Sequence, residues 1–545
     1  MKDWFKTGSP WVWLSAGGVS LSLISVVGLL WLIASNGLSY FWPSKIHQFN
    51  MVDEKGQPLV VIGEVYDRER IPASQLSHVD LGVEITEDTI ERLLVKTGNR
   101  ELVSLDFRWI LAPQITERSL PADVAVVERR SNGNFYGFVE KVILDGQEAD
   151  ASKLDELLER VNEFQEEISE LQKVDIGAIN YNLERLRLRE RKYIIDGELT
   201  DEVKAELDAQ AAELRKEYEV LEKDLMALRS QVSRDQVVMR AMGGELVTIN
   251  FDQIIKISFN NQLSFFGKVA TFFDQIAGFI FDEPREANTE GGVFPAIFGT
   301  VLMVLLMTVI VAPFGVIAAI YLHEYAAKNA FTKLIRIAVI NLAGVPSIVY
   351  GVFGLGFFVY MVGGNLDRLF YPETLPSPTF GTPGVLWSAL TLAILTLPVV
   401  IVSTEEGLAR IPSSMRHGSL ALGATKAETL WRIILPIASP AIMTGIILAI
   451  ARAAGEVAPL MLVGVVKMAP TLPLDGNFPF LHLERKFMHL GFHIYDVGFQ
   501  SPNVEAARPL VYATALLLVT IIVSLNMTAV NIRNKLREKY RALEH

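Results

Sequence analysis

The sequence predicts an α-helical membrane protein of six transmembrane helices, with an α+β and antiparallel coiled-coil insert between the first and second. Three observations carry this. Half of the 545 residues are hydrophobic, mean hydropathy is positive, and the apolar residues gather into stretches of about 20 or more, enough to cross a ~30 Å hydrocarbon core as helix. The charge is divided: within the net −12 of the chain, residues 36–290 hold 30 Lys and Arg against 48 Asp and Glu, inside a basic, apolar frame. That acidic block carries sustained heptad patterns. An acidic balance argues against general nucleic-acid binding. The absence of cysteine excludes disulfides, thiolate metal sites and Cys nucleophiles.

The six stretches are approximately 11–35, 295–322, 337–362, 385–403, 439–466 and 510–531. The first follows Lys2 and Lys6 and contains Trp11, Trp13 and Trp31. It exceeds the ~7–15-residue apolar core of a secretory signal, so it reads as an uncleaved anchor. Basic residues orient the bundle, because short cytoplasmic loops collect Lys and Arg. They cluster at Lys328, Lys333 and Arg336, at Arg410, Arg416, Lys426 and Arg432, and at Arg533, Lys535, Arg537, Lys539 and Arg541. Of the intervening loops, 363–384 has one basic residue, Arg368, and the longer 467–509 has four, Lys467, Arg485, Lys486 and Arg508. Both termini, including the tail 539–545, then face the cytoplasm of a bacterial inner membrane, and the insert 36–290 faces the periplasm.

Within the insert, strand-like runs occupy 46–150 (Leu59–Tyr66, Leu102–Trp109, Val124–Arg129, Tyr136–Leu144) and recur over 245–260. Ser131-Asn132-Gly133-Asn134 is a hairpin turn signal between two of them. A coiled-coil hairpin is expected over 151–235. Leu157, Val161, Phe164, Ile168 and Leu171 form one seam, and Leu207, Ala211, Leu214, Tyr218, Leu221, Leu225, Leu228 and Val232 the other. Asp196-Gly197 and Thr200 mark the turn between them. The cluster Arg185, Arg187, Arg189, Arg191 and Lys192 reads as a solvated face. Residues 263–281 space Phe265, Phe266, Phe272, Phe273 and Phe279 helically but include Lys268, Asp274 and Gln275, the pattern of an amphipathic helix lying in a membrane interface.

The chemistry falls to 291–538. No Gly-x-x-x-x-Gly-Lys-Ser/Thr loop, His-Glu-x-x-His pair or Gly-x-Ser-x-Gly elbow occurs, so this chain carries no Walker nucleotide site and no evident catalytic set. The inner loop 404–438 is distinctive. Ser413 or Ser414 can open a short helix that Gly423 breaks. Thr425 and Glu428, three apart, form a capping box for a second helix bearing Leu430, Trp431, Ile433, Ile434 and Leu435 and ending at Pro436. An apolar helix pair on the inner side needs a partner surface.

Gly423, Ile433 and Leu435-Pro436 resemble the EAA loop of ABC importer permeases, the loop that docks on the ATPase; His417-Gly418-Ser419 stands where Glu-Ala-Ala is usual. Further motifs are Gly291–Ile297, Pro313–Val316, Ile320–Tyr325, Asn341–Gly351, Ala451–Glu456 and Gln500–Leu510. Together they resemble the PstA-type permease family of phosphate ABC importers. The resemblance covers about 250 C-terminal residues and the first anchor. It implies a six-helix importer permease fold, and no cofactor in this chain, ATP being bound by a partner. The implied partners are a PstC-type permease, two PstB-type ATPase subunits, a PstS-type phosphate-binding protein, inorganic phosphate and the lipid bilayer. ATPase coupling would fall to His417, Gly418, Ser419, Gly423, Thr425, Glu428, Ile433, Leu435 and Pro436.

An anion crossing hydrocarbon needs donors and positive charge inside the bundle. Arg452 and Glu456 are the ionisable residues of the fifth stretch, four apart on one helix face. They read either as a transient anion contact tempered by a carboxylate or as an ion pair bracing the bundle. Asn341 and Ser347, beside Gly344 and Pro346 in the third stretch, read either as path-lining groups or as helix–helix hydrogen bonds. Gly445, Ala449, Ala453 and Gly455 permit close helix approach. Glu405 and Glu406 read as a solvated boundary or a coupling feature. The rival readings are a sulfate or molybdate permease, the sister PstC-type subunit, and a membrane-anchored coiled-coil sensor.

Overall fold

The computed structural model describes residues 8–52, 57–76, 88–103, 106–501 and 504–540. Lys2, Lys6, Pro502, Asn503 and the tail from Arg541 lie outside the described residues. The chain forms two compact units: Met1–Tyr40 with Val293–Leu474 and Leu481–His545, and Phe41–Gly292 with Asp475–Phe480.

Helix α1 (Ser9–Ser39) begins at Gly8 in a left-handed conformation, with Pro10 in its first turn. Its tryptophans are exposed. Near its end Gly37 lies against the backbone of Tyr512, where a Cβ would come within 2.9 Å of the carbonyl oxygen.

Among its described residues the Phe41–Gly292 unit holds two larger antiparallel sheets and a two-stranded one. The first has strand order β4-β3-β2-β1-β5, from β1 (Ile46–Val52), β2 (Pro58–Pro72), β3 (Thr89–Lys96), β4 (Phe107–Leu111) and β5 (Ile115–Ser119). The second uses β6 (Val124–Arg129), β7 (Phe135–Leu144), β8 (Gln147–Ala149), β9 (Gln236–Arg240), β10 (Leu246–Asn250) and β11 (Ile254–Ser258). Its order is β10-β9-β7-β6-β11, with β8 on β7. Asn132 and Gly133 both take positive φ in the five-residue connection 130–134 between β6 and β7, a region open to Asn and Gly. The fully buried Arg129 holds that turn. It donates from Nε to Gly133 O (2.8 Å) and from Nη2 to Asn132 O (2.7 Å), and it pairs with Glu101.

The strand reading needs correction in two places. Leu102 and Val103 lie in a turn bonded to the Asn99 carbonyl, so the strand there begins only at Phe107. Strands β1, β3, β5, β8 and β9 escaped the pattern. β3, Thr-Ile-Glu-Arg-Leu-Leu-Val-Lys, has adjacent leucines rather than alternation, and its place is decided by pairing with β2 and β4.

Helices α2 (Leu154–Glu170) and α3 (Ile176–Asp196) run together through a π-turn at Leu171–Asp175 and return as α4 (Asp201–Val232). Gly197 takes φ 72° at the end of α3, and Thr200 Oγ1 accepts from Val203 N at 3.3 Å to open α4. The base of this hairpin shares a core with the second sheet, where Leu157, Val161, Ile168, Leu225 and Val232 meet Val127, Phe135, Val237, Met239 and Ile254. Farther along, Tyr181 donates its hydroxyl to Phe478 O at 2.6 Å, and the Arg185 guanidinium lies over the Phe478 ring. The arginine-rich stretch is otherwise mostly exposed, with Arg187 paired to Glu184. Helix α5 (Phe265–Phe281) follows, capped by Ser264, and then the short strands β12 (Pro284–Arg285) and β13 (Glu290–Gly291).

The other unit continues with α6 (Phe294–Ile320), α7 (Ala330–Leu342), α8 (Ser347–Phe353) running through a π-segment into α9 (Gly364–Phe370), and α10 (Val385–Ala409). Then come α11 (Ser413–Ala421), α12 (Lys426–Thr429), α13 (Leu435–Ala454), α14 (Ala458–Val463), α15 (Leu490–Tyr495) and α16 (Val504–Tyr540). Among the described residues six helical runs are long and apolar enough to cross a membrane: Trp11–Ser39, Phe294–Tyr325, Ser347–Phe370, Val385–Ala409, Lys426–Ala454 and Ala507–Glu538.

Two boundaries differ from the sequence reading. The third span starts at Ser347, because turns at 343–346 ahead of α8 separate it from α7. The fifth starts earlier and ends earlier. Helix α12 does not stop at Pro436 but passes through a π-turn at Leu430–Ile434 into α13. That slip in hydrogen-bond register accommodates a residue without an N–H. At the far end the helix stops at Ala454. Pro459 could not donate to the Gly455 carbonyl and would crowd it, so α14 starts anew.

The stretch 464–489 is irregular. The N–H groups that open α10 donate to it and to the end of α14: Val385 to Arg485 O, Leu386 to Leu483 O and Gly384 to Val463 O, each at 2.9 Å. His489 caps α15, its Nδ1 accepting from Gly491 N at 3.1 Å, and burial pushes its pKa down to about 4.

Helices α10 and α13 pack antiparallel through small residues. A Cβ on Gly445 would stand 2.7 Å from Ser403 Cβ, whereas one on Gly418 would meet nothing within 4 Å. Gly445→Val should therefore destabilise the chain by about 1–3 kcal/mol of overpacking, and Gly418→Ala should not; thermal denaturation in detergent distinguishes them. A second expectation concerns acid. The folded state holds His489 unprotonated from its ordinary 6.5 down to about 4, so stability present above pH 6.5 is lost as pH falls toward 4. His489→Asn keeps a capping acceptor without titrating. Its thermal midpoint should fall less than that of the native chain between pH 7 and 4.5.

Candidate functional site

The inner helix pair is built by local chemistry. Thr425 and Glu428 exchange the bonds of a capping box, Thr425 N to Glu428 Oε2 at 2.9 Å and Glu428 N to Thr425 Oγ1 at 3.2 Å. Gly423 turns the chain with φ 89°, a region open to glycine. The buried Ser419 hydroxyl meets Thr429 Oγ1 at 2.8 Å and so joins α11 to α12. The pair does not leave its whole apolar face free, as its sequence suggested. Leu430 and Ile434 are buried with Leu408, Ile411 and Ala438, and Ile433 packs against that cluster. Leu435 and Pro436 are half-buried, and His417 and Gly418 are exposed. Leu422 (91% exposed), Trp431 (74%) and Leu420 (45%) are large apolar side chains left facing out.

A set of charged residues that sequence reasoning passed over fastens this pair to the spans. Arg416 contacts Glu324 Oε1 from Nη2 (3.0 Å) and Nε (3.1 Å), and donates to the carbonyls of Ile411 (2.8 Å) and Leu408 (2.7 Å) at the end of α10. Lys426 donates to the Glu324 carbonyl and sits over the Tyr325 ring. Arg336 pairs with Glu405 at 3.3 Å and donates to Leu322 O at 2.7 Å, which gives Glu405 a partner rather than a solvated boundary. The signal was present: Glu324 is an acidic residue ending an apolar run, and arginines lie on the facing loops.

The second group of candidates lies deeper. Gly407 meets Ala441, and Ser403 meets Gly445. Continuing that antiparallel register puts Arg452 level with Thr396, near the middle of α10. The spacing predicts Arg452 and Glu456 on one helix, but α13 ends at Ala454; Arg452 occupies its last turn and Glu456 the break beyond. Their side chains still approach, Nε to Oε1 at 3.7 Å, and both are partly accessible. A cation in a last helical turn also suits the negative end of the helix dipole.

The break after Arg452 leads into α14, which packs on α8 at the start of the third span. A Cβ on Gly351 would fall 2.7 Å from Pro459 Cα, so α8 touches α14 closely. Tyr350 donates its hydroxyl to Leu342 O at 2.6 Å across the 343–346 turns, and Arg452 bears electrostatically on it. Asn341 is exposed and Ser347 half-buried. Among the described residues no hydrogen bond joins either side chain to Arg452. The structure thus places the four candidates on two adjoining helix interruptions without linking Asn341 or Ser347 directly to the ion pair.

Residues 311–538 match the family described as binding-protein-dependent transport system inner membrane component. The chain is 33% identical over 194 residues to the probable ABC transporter permease protein YqgH of Bacillus subtilis, covering 35% of this chain and 59% of that protein, less than two thirds of its length. It is 34% identical over 245 residues to phosphate transport system permease protein PstA 1 of Mycobacterium tuberculosis, covering 45% and 71% of the two chains. With phosphate transport system permease protein PstA of Yersinia pestis it shares 33% identity over 267 residues, covering 48% and 80%. By these matches, the chain belongs to the family of binding-protein-dependent transport system inner membrane components, the permeases of ABC transporters.

Proposed function

We propose that the chain is the permease subunit of an ATP-driven inorganic phosphate importer. It forms half of the translocation path and works with a PstC-type sister permease, two PstB-type ATPase subunits and a PstS-type binding protein. The reading rests on one observation above all: an arginine–carboxylate pair at a helix interruption, level with the middle of a neighbouring span. The relatives named for phosphate transport support the substrate. Both termini and the loop 404–438 face the cytoplasm, and the insert faces the periplasm.

Arg452 supplies positive charge and donors where a bare anion would otherwise meet hydrocarbon. At 3.7 Å from its Nε, Glu456 limits how tightly the guanidinium holds the anion, so that it is released. Asn341 and Ser347 line the neighbouring break. On the inner side Leu422 and Trp431 insert into the ATPase, with His417, Gly418, Gly423, Thr425 and Glu428 shaping that surface. Arg416, Lys426 and Glu324 carry the ATPase movement to α6 and α10, because each of those helix ends is tied to the inner pair by a charged hydrogen bond.

Arg452→Gln should abolish labelled phosphate uptake while the assembled complex still purifies. Unchanged uptake would remove the pathway role and leave the pair as a brace. Glu324→Gln weakens a charge-assisted bond worth about 1.5–3 kcal/mol. It should lower phosphate-stimulated ATP hydrolysis on the order of tenfold with the ATPase still bound. Full stimulation in that variant would sink the mechanical link.

A further inference from the structure

Helix α5 has three faces. Phe265, Phe272 and Phe279 turn toward Phe41 and Trp42, with ring centroids 5.2–6.5 Å apart. Lys268, Thr271 and Gln275 lie on a polar side, bordered by Asp274, which pairs with Lys256. The third face runs Phe266, Ala270, Phe273, Ala277 and Phe281, at steps of four and three residues along one stripe. All five are exposed, the phenylalanines at 83%, 63% and 71%. Three such rings in one row are not what a water-facing helix carries.

Where α5 sits in the chain says what covers them. Phe41 and Trp42 follow Ser39, the last residue of the first span, by two and three positions. Gly292 precedes Phe294, the first residue of the second span, by two. It is packed on the other end of α5, where a Cβ would stand 2.7 Å from Gly278 O, and its N–H donates to Glu283 O at 3.1 Å. Both points at which the chain leaves and re-enters the bilayer are therefore fastened to this one helix. A helix held at two membrane exits with an apolar stripe turned outward has the bilayer as its nearest apolar phase. At 17 residues, about 25 Å, it suits the interface better than a crossing.

We propose that α5 lies in the headgroup–acyl boundary of the leaflet facing the insert, with Phe266, Phe273 and Phe281 in the acyl chains and Gln275 toward water. The occupant of the stripe is lipid, and the helix seats the insert on the membrane.

The chain has no cysteine, so single labels are clean. Ala270→Cys and Ala277→Cys keep every phenylalanine, and Gln275→Cys reports the polar side. Each spin-labelled full-length variant would be placed in phosphatidylethanolamine–phosphatidylglycerol nanodiscs, alone and with its partner subunits. Accessibility to oxygen and to a water-soluble nickel chelate would then be compared. The expected result is that labels at 270 and 277 favour oxygen by several-fold while the label at 275 favours nickel. Equal nickel access at all three positions would overturn the proposal. So would labels at 270 and 277 closed to both reagents in the complex, since a protein surface would then cover the stripe.

Discussion

Backbone polar groups inside a membrane must find partners within the protein, because no water is there to take them. That constraint organises the bundle. Two of its spans border a break in the helix, at 343–346 ahead of the third and at 455–457 behind the fifth, and each break frees N–H and carbonyl groups. Tyr350 answers one carbonyl, Leu342 O, with its hydroxyl. The opening N–H groups of α10 are answered by the carbonyls of Val463, Leu483 and Arg485. A segment that looks like loop is thus part of the spans' own hydrogen bonding, and its path is fixed by α10 rather than by its composition.

The same accounting explains why charge appears where it does. Arg452 stands at the end of a helix, where carbonyls are unpaired and a cation is favoured. On the inner side, Arg416 meets Glu324, the Leu408 carbonyl of α10 and the Ile411 carbonyl just beyond that helix at once, and Arg336 bridges Glu405 and Leu322 O. Each arginine closes helix ends and also joins separate helices. The inner helix pair is thereby bonded both to the segment that ends α6 and to the end of α10.

Much of the site was legible because it depends on local chemistry. The Thr425–Glu428 capping box follows from a three-residue spacing, and Gly423 from the need for positive φ. Arg452 was visible as a charge in an apolar stretch. What stayed hidden were partners distant in sequence. Glu324 lies 92 residues from Arg416, and no pattern within one window joins them. The apolar side of the inner pair was read as free because its cover, Leu408 and Ile411, comes from another helix. The helix ending assigned to Pro436 ignored a π-turn that only a packed span stabilises.

The sequence by itself determined the six apolar stretches, the acidic insert, the heptad seams and the capping box of the inner loop. Those depend on hydropathy, periodicity and capping, which act over a few residues. Tertiary structure alone decided where the third and fifth helices break, which strands join each sheet, and which arginine meets which carboxylate. Strand partners such as β9 and β7 lie about 100 residues apart, and a broken helix survives in a membrane only when another segment supplies the missing bonds. Those bonds come from across the fold, beyond the reach of any local pattern.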